Sequence, residues 1–187
     1  MIILGVNGSP RKNGNTELLL DRALLGAAKT GAKTEKVNLG EMKYSPCLSC
    51  DNAKKTGECI VRDDMRKIFS AVKRADGFII ASPVYFGSVS AQLKMMIDRF
   101  QCHWAGVYLH KTISNAPARR GVFICVEAGD EIKFFENSRS VIKNFFVTMN
   151  IEYYKELLCT GLETKAEVMK NKSYLALAEK AGFDLVK

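Results

Sequence analysis

Met1-Ile2-Ile3-Leu4-Gly5-Val6-Asn7-Gly8-Ser9-Pro10-Arg11-Lys12-Asn13-Gly14-Asn15-Thr16 reads as a buried strand, a loop rich in Gly, Ser and Asn, and the start of a helix. Such a turn gathers unpaired backbone N–H groups and the positive end of a helix dipole at one point, which makes an anion site. Ser9, Asn13, Asn15 and Thr16 add short polar side chains, and Arg11 and Lys12 add charge. A Walker A loop would need Gly-Lys-Ser/Thr where Gly14 is followed by Asn15 and Thr16, and the dinucleotide fingerprint Gly-x-Gly-x-x-Gly is absent. The loop therefore suits a monophosphate. The alternative is an ordinary strand-to-helix turn that only caps its helix; the basic pair and the cap-type residues weigh against it.

Working outward, Leu18, Leu19, Leu20, Ala23, Leu24, Ala27 and Ala28 recur at helical spacing and predict a helix from residue 16 to about residue 30, ended by Gly31. Lys33 to Leu39 reads as an edge strand, and residues 40–62 form a connection without periodicity. Asp63 and Asp64 open a helix whose inner stripe is Met65, Ile68, Phe69 and Val72. Gly77 to Ala81 is apolar on both faces, as a central parallel strand must be. Ser82 to Gly87 follows as a loop, then a helix carrying Leu93, Met96, Ile97 and Phe100, and a second long connection from Gln101 to Arg119. A strand over Gly121–Val126, a helix carrying Phe135, Val141, Ile142, Phe145, Phe146 and Met149, a strand over Ile151–Leu158 and a final helix ending near Ala181 complete the chain.

Strands alternating with helices predict an α/β sandwich, because right-handed crossovers place helices on both faces of a parallel sheet. Five strands with a phosphate loop after the first favour the flavodoxin-like three-layer order 2-1-3-4-5, in one domain over residues 1–187. A ligand crevice is then expected where strands 1 and 3 diverge.

Composition bounds the function. The 187 residues carry a net charge of +8, but the 28 basic residues are scattered among 20 acidic ones without a like-charge run or basic helix stripe. A basic surface that attracts phosphorylated cofactors is expected, and no nucleic-acid partner. No apolar run approaches a membrane span, and Ile2-Ile3-Leu4 is too short for a signal-peptide core, so no membrane and a cytoplasmic location are expected. The six cysteines are then better read as thiols or ligands than as disulfides.

The loop after the third strand can frame a flat ring. Pro83 stiffens it, Val84 and its neighbours offer backbone N–H groups, Tyr85 and Phe86 supply π surfaces, and Gly87 permits close backbone approach. Alternatively, Tyr85 and Phe86 cap the core beneath the next helix. With this loop added to Gly8-Ser9-Pro10-Arg11, Gly14-Asn15-Thr16 and Leu93-Lys94-Met95-Met96-Ile97-Asp98-Arg99, the chain resembles the flavodoxin-like NAD(P)H-dependent FMN reductase superfamily over about residues 1–130, and within it the iron–sulfur flavoproteins.

That resemblance implies FMN, with its phosphate on Ser9, Arg11, Asn13, Gly14, Asn15 and Thr16, its ring along Pro83, Val84, Tyr85, Phe86 and Gly87, and Glu127 and Gly129 nearby. It also implies NAD(P)H as electron donor, a quinone, flavin or protein as acceptor, and a homodimer or homotetramer. The cofactor carries the chemistry, so no side chain is nominated as catalytic. A one-electron carrier is the competing class.

The iron–sulfur branch resembles this chain in a compact Cys-x2-Cys-x2-Cys-x(4–7)-Cys set. Here Cys47, Cys50 and Cys59 are present and position 53 is alanine, so the loop alone cannot complete a four-cysteine cluster. Three reduced thiols in a lid loop come first, an iron–sulfur site second, and zinc last, since His103 and His110 lie in a different loop. Cys102, Cys125 and Cys159 are dispersed and read as structural. His103, Trp104, Tyr108 and His110 either cover a flavin, contact a second subunit or anchor their loop.

Overall fold

The computed structural model describes residues 1–187, except for the side chains of residues 52–54. Its elements are β1 (Ile2–Asn7), α1 (Asn15–Ala28), β2 (Lys33–Asn38), α2 (Asp51–Thr56), α3 (Met65–Arg74), β3 (Gly77–Tyr85), β4 (Ser88–Val89), α4 (Ala91–Asp98), α5 (Gln101–Trp104), β5 (Arg119–Val126), α6 (Phe135–Thr148), β6 (Ile151–Cys159) and α7 (Lys172–Leu185). Five strands pair in parallel in the order β2-β1-β3-β5-β6, the flavodoxin-like order 2-1-3-4-5. A short sixth strand, β4, returns antiparallel against the end of β3.

The apolar run of β3 is explained by burial on both faces. Phe78 and Ile80 enter the core under α3, α4 and α6 with Ile68, Leu93, Met96 and Phe146. Ile79 and Ala81 enter the core under α1 and α7 with Leu19, Leu20, Ala23 and Ala178. Each large side chain removed from water in this way contributes roughly 1.5–3 kcal/mol. The α1 and α7 helices touch backbone to backbone, because a Cβ on Gly182 would lie 1.8 Å from the Ala23 carbonyl oxygen and one on Gly26 would lie 1.9 Å from that of Glu179.

Several expected loops are structured. The 40–62 connection contains α2, preceded by a 3-10 turn at Leu39–Glu41, and the 101–119 connection contains α5 and a π turn over Ala105–Leu109. Elements of three to six residues span too few turns to show a helical period. The Ser82–Gly87 loop is instead the end of β3 and a two-residue turn, and the final helix runs past Ala181 to Leu185. Among the described residues no helix is long and apolar enough to cross a membrane.

Candidate functional site

Register places the site. Asn7, the last residue of β1, pairs with Ala81, and Val126, the last of β5, pairs with Pro83. The end of β3 therefore projects past its neighbours, and the loops leaving β1, β3 and β5 surround that projection. Pro83 lies beyond the end of β1, where the missing N–H of a proline costs least.

The loop after β1 is laced by its own hydrogen bonds. The Ser9 N–H donates to Asn7 Oδ1 at 3.0 Å, the Arg11 N–H to Ser9 Oγ at 3.2 Å, and the Gly14 N–H to the Arg11 carbonyl at 3.1 Å. Asn13 sits in the left-handed region at φ 55°, and its N–H donates to Glu17 Oε2 at 2.6 Å. Burial raises the Glu17 carboxyl, but the Asn13 N–H and the Lys36 ammonium at 3.0 Å more than offset this and hold it below the usual carboxylate range. Among the described residues no side chain caps α1, and its first internal bond is from the Leu18 N–H to the Gly14 carbonyl. The N–H groups at the head of α1 thus remain available beside buried Ser9 and Thr16.

Asn15 is placed differently from the expectation. Its Nδ2 donates to the carbonyls of Leu162 (3.1 Å) and Thr164 (2.8 Å), and its Oδ1 accepts from the Val168 N–H at 3.0 Å. The side chain is spent on locking residues 162–168 against α1, which leaves its backbone N–H for an anion. Arg11 Nη1 donates to the Glu163 carbonyl at 3.3 Å, and Lys12 lies 3.9 Å from Glu41.

The second loop is joined to the first. Ser90, the cap of α4, donates from Oγ to the Gly8 carbonyl at 2.6 Å and accepts from the Leu93 N–H at 3.2 Å, while its own N–H donates to Ser82 Oγ at 3.0 Å. Gly8 leaves little room for a side chain, since a Cβ would meet the Ala81 carbonyl and Leu93 at 3.0 Å. Neither Ser90 nor Glu17 carried a sequence motif; Ser90 was discoverable only as the helix cap before Leu93.

Phe86 and Gly87 form the turn between β3 and β4, both in the left-handed region at φ 50° and 70°. Two such residues make the turn whose twist matches a hairpin, yet Phe is an unusual occupant of the first position. Its side chain is fully exposed, so the core-capping alternative is corrected: Phe86 packs on no core. Tyr85, Ile132 and Phe134 are also exposed, and Phe134 flanks Gly87.

The loop after β5 closes the third side. The Glu127 N–H donates to the Cys159 carbonyl, and Leu162 and Gly161 donate back to the carbonyls of Glu127 and Gly129. Glu127 Oε2 is buried without a hydrogen-bond partner among the described residues. A Cβ on Gly129 would crowd the Glu127 carboxylate at 3.1 Å.

A separate small cavity of about 20 Å³ is lined by Cys47, Leu48, Ser49, Cys50, Cys59, Val61, Arg99, Gln101 and Cys102. The expectation that Cys102 lies dispersed in a loop is therefore corrected: it stands on α5, buried, and lines the same cavity as the other three. Arg99, only 1% exposed, organises the cavity. It donates to Asp63 Oδ2 (2.7 Å) and Oδ1 (3.2 Å), to the Ser45 carbonyl (2.8 Å) and to Cys59 Sγ (3.2 Å), and its own carbonyl accepts from Cys102 Sγ at 3.4 Å. The Ser49 N–H, on a residue at φ 53°, donates to Cys47 Sγ at 3.4 Å. Burial pushes the Cys102 thiol up to about 11, with Cys59 nearby adding to the rise; burial alone drives Cys159 to about 12. Cys125 is fully buried in β5. The side chain at position 53, where the third cysteine of the spacing would fall, lies outside the described residues.

The histidine segment turns elsewhere. Trp104 borders a groove between α4 and α6, and Tyr108 donates to the Val147 carbonyl at 3.3 Å. Burial and the charge of Arg119 hold His103 below its ordinary pKa, although a hydrogen bond with Asn115 opposes them. Met96 is core.

A family model described as NADPH-dependent FMN reductase matches residues 1–132. An iron–sulfur flavoprotein of Methanocaldococcus jannaschii is 43% identical over 118 residues, 63% of this chain and 61% of that protein. A second from the same organism is 34% identical over 148 residues, 79% of this chain and 71% of that protein, and one from Methanosarcina thermophila is 39% identical over 99 residues, 53% and 52% of the two chains. The chain thus spans roughly half to two thirds of the length of most of these relatives. In structure, an NAD(P)H:quinone oxidoreductase from Methanothermobacter marburgensis superposes with a TM-score of 0.77 at 17% identity, covering 100% of this chain and 96% of that one. An FMN-dependent NADH-azoreductase from Bacillus anthracis, in complex with FMN, gives 0.69 at 18% identity with complete coverage of both.

Proposed function

The chain belongs to the NADPH-dependent FMN reductase family, in the branch of the iron–sulfur flavoproteins, and from that premise we propose that it is an FMN-dependent oxidoreductase fed by NAD(P)H. The observation that carries the reading is the convergence of three loops around the projecting end of β3, with the uncapped head of α1 on one side and the exposed Phe86 turn on another. The N–H groups of the first turn of α1, with Ser9, Asn13, Gly14 and Thr16, would hold the FMN phosphate, and Arg11 would neutralise it. The backbone from Pro83 to Gly87 would border the ring, with Tyr85 and Phe86 excluding water and Glu127 to Gly129 closing the far edge.

Bound FMN would supply hydride acceptance from a nicotinamide and onward transfer to a quinone, flavin or protein. The protein's part is to bind and orient; no side chain is assigned proton transfer. Exposed Phe86, Ile132 and Phe134 around the hairpin tip support a homodimer or homotetramer that covers them.

A second cofactor is favoured by a specific observation. Cys47, Cys50 and Cys59 line one cavity, and the relatives are named iron–sulfur flavoproteins; thiolates of this kind hold an iron–sulfur cluster. An iron–sulfur cluster would supply one-electron steps, making a ferredoxin-linked carrier the alternative activity.

Anaerobic titration with FMN and riboflavin, followed by stopped-flow mixing with NADPH or NADH, tests the proposal. FMN binding at least about tenfold tighter than riboflavin, the equivalent of about 1.4 kcal/mol, with rapid bleaching by a nicotinamide, is expected. A chain that binds neither flavin overturns it. A chain that binds FMN and ignores both nucleotides is the one-electron carrier.

A further inference from the structure

We propose that Cys102, on α5, supplies the fourth thiolate of a [4Fe–4S] cluster whose other ligands are Cys47, Cys50 and Cys59, in place of a thiol at position 53, where this chain has alanine. The inference rests on the reading of an iron–sulfur cluster at the three loop cysteines, and it is independent of the FMN site.

Four of the six thiols line a single cavity, although α3, β3, β4 and α4 separate Cys102 in sequence from the other three. One residue bonds to two of them: Arg99 donates from its guanidinium to Cys59 Sγ and accepts from Cys102 Sγ on its carbonyl. The same guanidinium clamps both flanks of the cysteine loop, through the Ser45 carbonyl two residues before Cys47 and the Asp63 carboxylate four residues after Cys59. The loop is also packed on the α5 segment directly. A Cβ on Gly106 would lie 2.7 Å from the Cα of Gly57, and Ile113 fills the space beside both glycines. Contacts at the loop's flanks and at Gly57 thus keep Cys102 beside the loop, whereas Cys125 and Cys159 are buried in the two core clusters.

A second observation points to a negatively charged ligand. Arg99 lines the cavity, is almost wholly buried, and its Nε has no acceptor among the described residues. A cluster ligated by four thiolates carries net negative charge, and N–H donation to its sulfurs stabilises it. Among the described residues no group of three or more His, Cys, Asp or Glu side chains is arranged to hold a metal ion in this conformation, so ligation requires the thiols to rearrange. The free volume of about 20 Å³ is room for a water, so binding requires the partly exposed 47–59 loop to move outward while Cys102 stays on its helix. Each thiol gives up its proton as its sulfur bonds to iron; the iron and sulfide come from outside the chain.

The test is anaerobic reconstitution with iron and sulfide of the wild type, Cys102→Ser, Cys102→Ala and the double variant Cys102→Ser with Ala53→Cys. Iron and acid-labile sulfide are measured with the electron paramagnetic resonance spectrum, and FMN uptake and far-ultraviolet circular dichroism report folding. The wild type is expected to hold about four irons and four sulfides per chain. Both position-102 variants should fall to about three irons or fewer, with a three-iron signal or none, while FMN uptake is kept. Ala53→Cys should restore about four irons in the Cys102→Ser background, and this rescue also answers a variant that folds poorly. Folded position-102 variants with the full wild-type cluster overturn the role of Cys102 alone. A wild type that takes up zinc, or no iron, overturns the cluster reading itself and leaves the FMN proposal standing.

Discussion

The Ser90 hydroxyl donates a 2.6 Å hydrogen bond to the Gly8 carbonyl, which ties the head of α4 to the loop leaving β1. The same oxygen accepts the Leu93 N–H, so Ser90→Ala leaves a buried carbonyl and a buried N–H without their partner. Such groups cost roughly 1–3 kcal/mol, and loss of the cap about 1. Urea unfolding should show a loss of about 2–3 kcal/mol, with weaker FMN binding because the two loops no longer hold their spacing. A change below about 0.5 kcal/mol would show that the link is not structural.

Phe86 separates stability from function. A non-glycine residue at φ 50° costs roughly 1–2 kcal/mol against the left-handed region's ease for glycine, part of which is offset by the entropy glycine loses on folding. Phe86→Gly should therefore unfold at equal or higher denaturant concentration, up to about 1 kcal/mol more stable, while binding FMN less tightly. Reduced stability would mean that the exposed ring has a packing partner within the chain.

Asp63 sets an acid limit. Burial raises its carboxyl, but Arg99 and the Ser45 and Met65 N–H groups outweigh this and hold it below its ordinary pKa. A carboxylate whose folded pKa is depressed contributes stability in full above the unfolded value of about 3.9 and loses it as pH falls through the folded value. Asp63→Asn should cost about 3 kcal/mol at neutral pH, because it leaves the buried Arg99 charge unpaired. The gap between wild type and variant should narrow steadily below about pH 4. Glu17 and Glu156, also depressed, steepen both curves alike, so the difference between curves is the quantity to measure. A gap that is constant between neutral pH and acid would exclude the ion pair as its source.

Gly182 permits the close crossing of α7 on α1. A Cβ there would overlap the Ala23 carbonyl oxygen at 1.8 Å, so Gly182→Ala must force the helices apart, at a cost of about 3 kcal/mol or more. Leu177→Ala on the same helix, at an exposed side chain, should change stability by less than about 0.5 kcal/mol. Thermal unfolding of the two variants side by side checks the contrast.

Much of this was legible from residues 1 to 16 and 77 to 87. Apolar runs announce strands through burial, helical periods announce the faces of α1, α3, α4 and α6, and a glycine-rich turn before a helix announces an anion site, because each signal arises within a few neighbouring residues. The same locality hid the rest. The helices α2 and α5 are too short to carry a period, the Phe86-Gly87 turn lacks the residues that usually mark one, and the Asn15 amide is consumed by a segment about 150 residues away.

The cysteines divide the two kinds of knowledge most sharply. Sequence by itself determined that the 47–59 loop offers three thiols and an alanine where a fourth would be expected. Only the tertiary structure decided that Cys102 stands with them, because α4 runs from the Ser90 cap to Arg99 and turns there into α5, and the buried Arg99–Asp63 pair draws the loop onto that turn. Spacing along a chain reports which atoms are close only while the chain stays in one element; across two elements, packing decides.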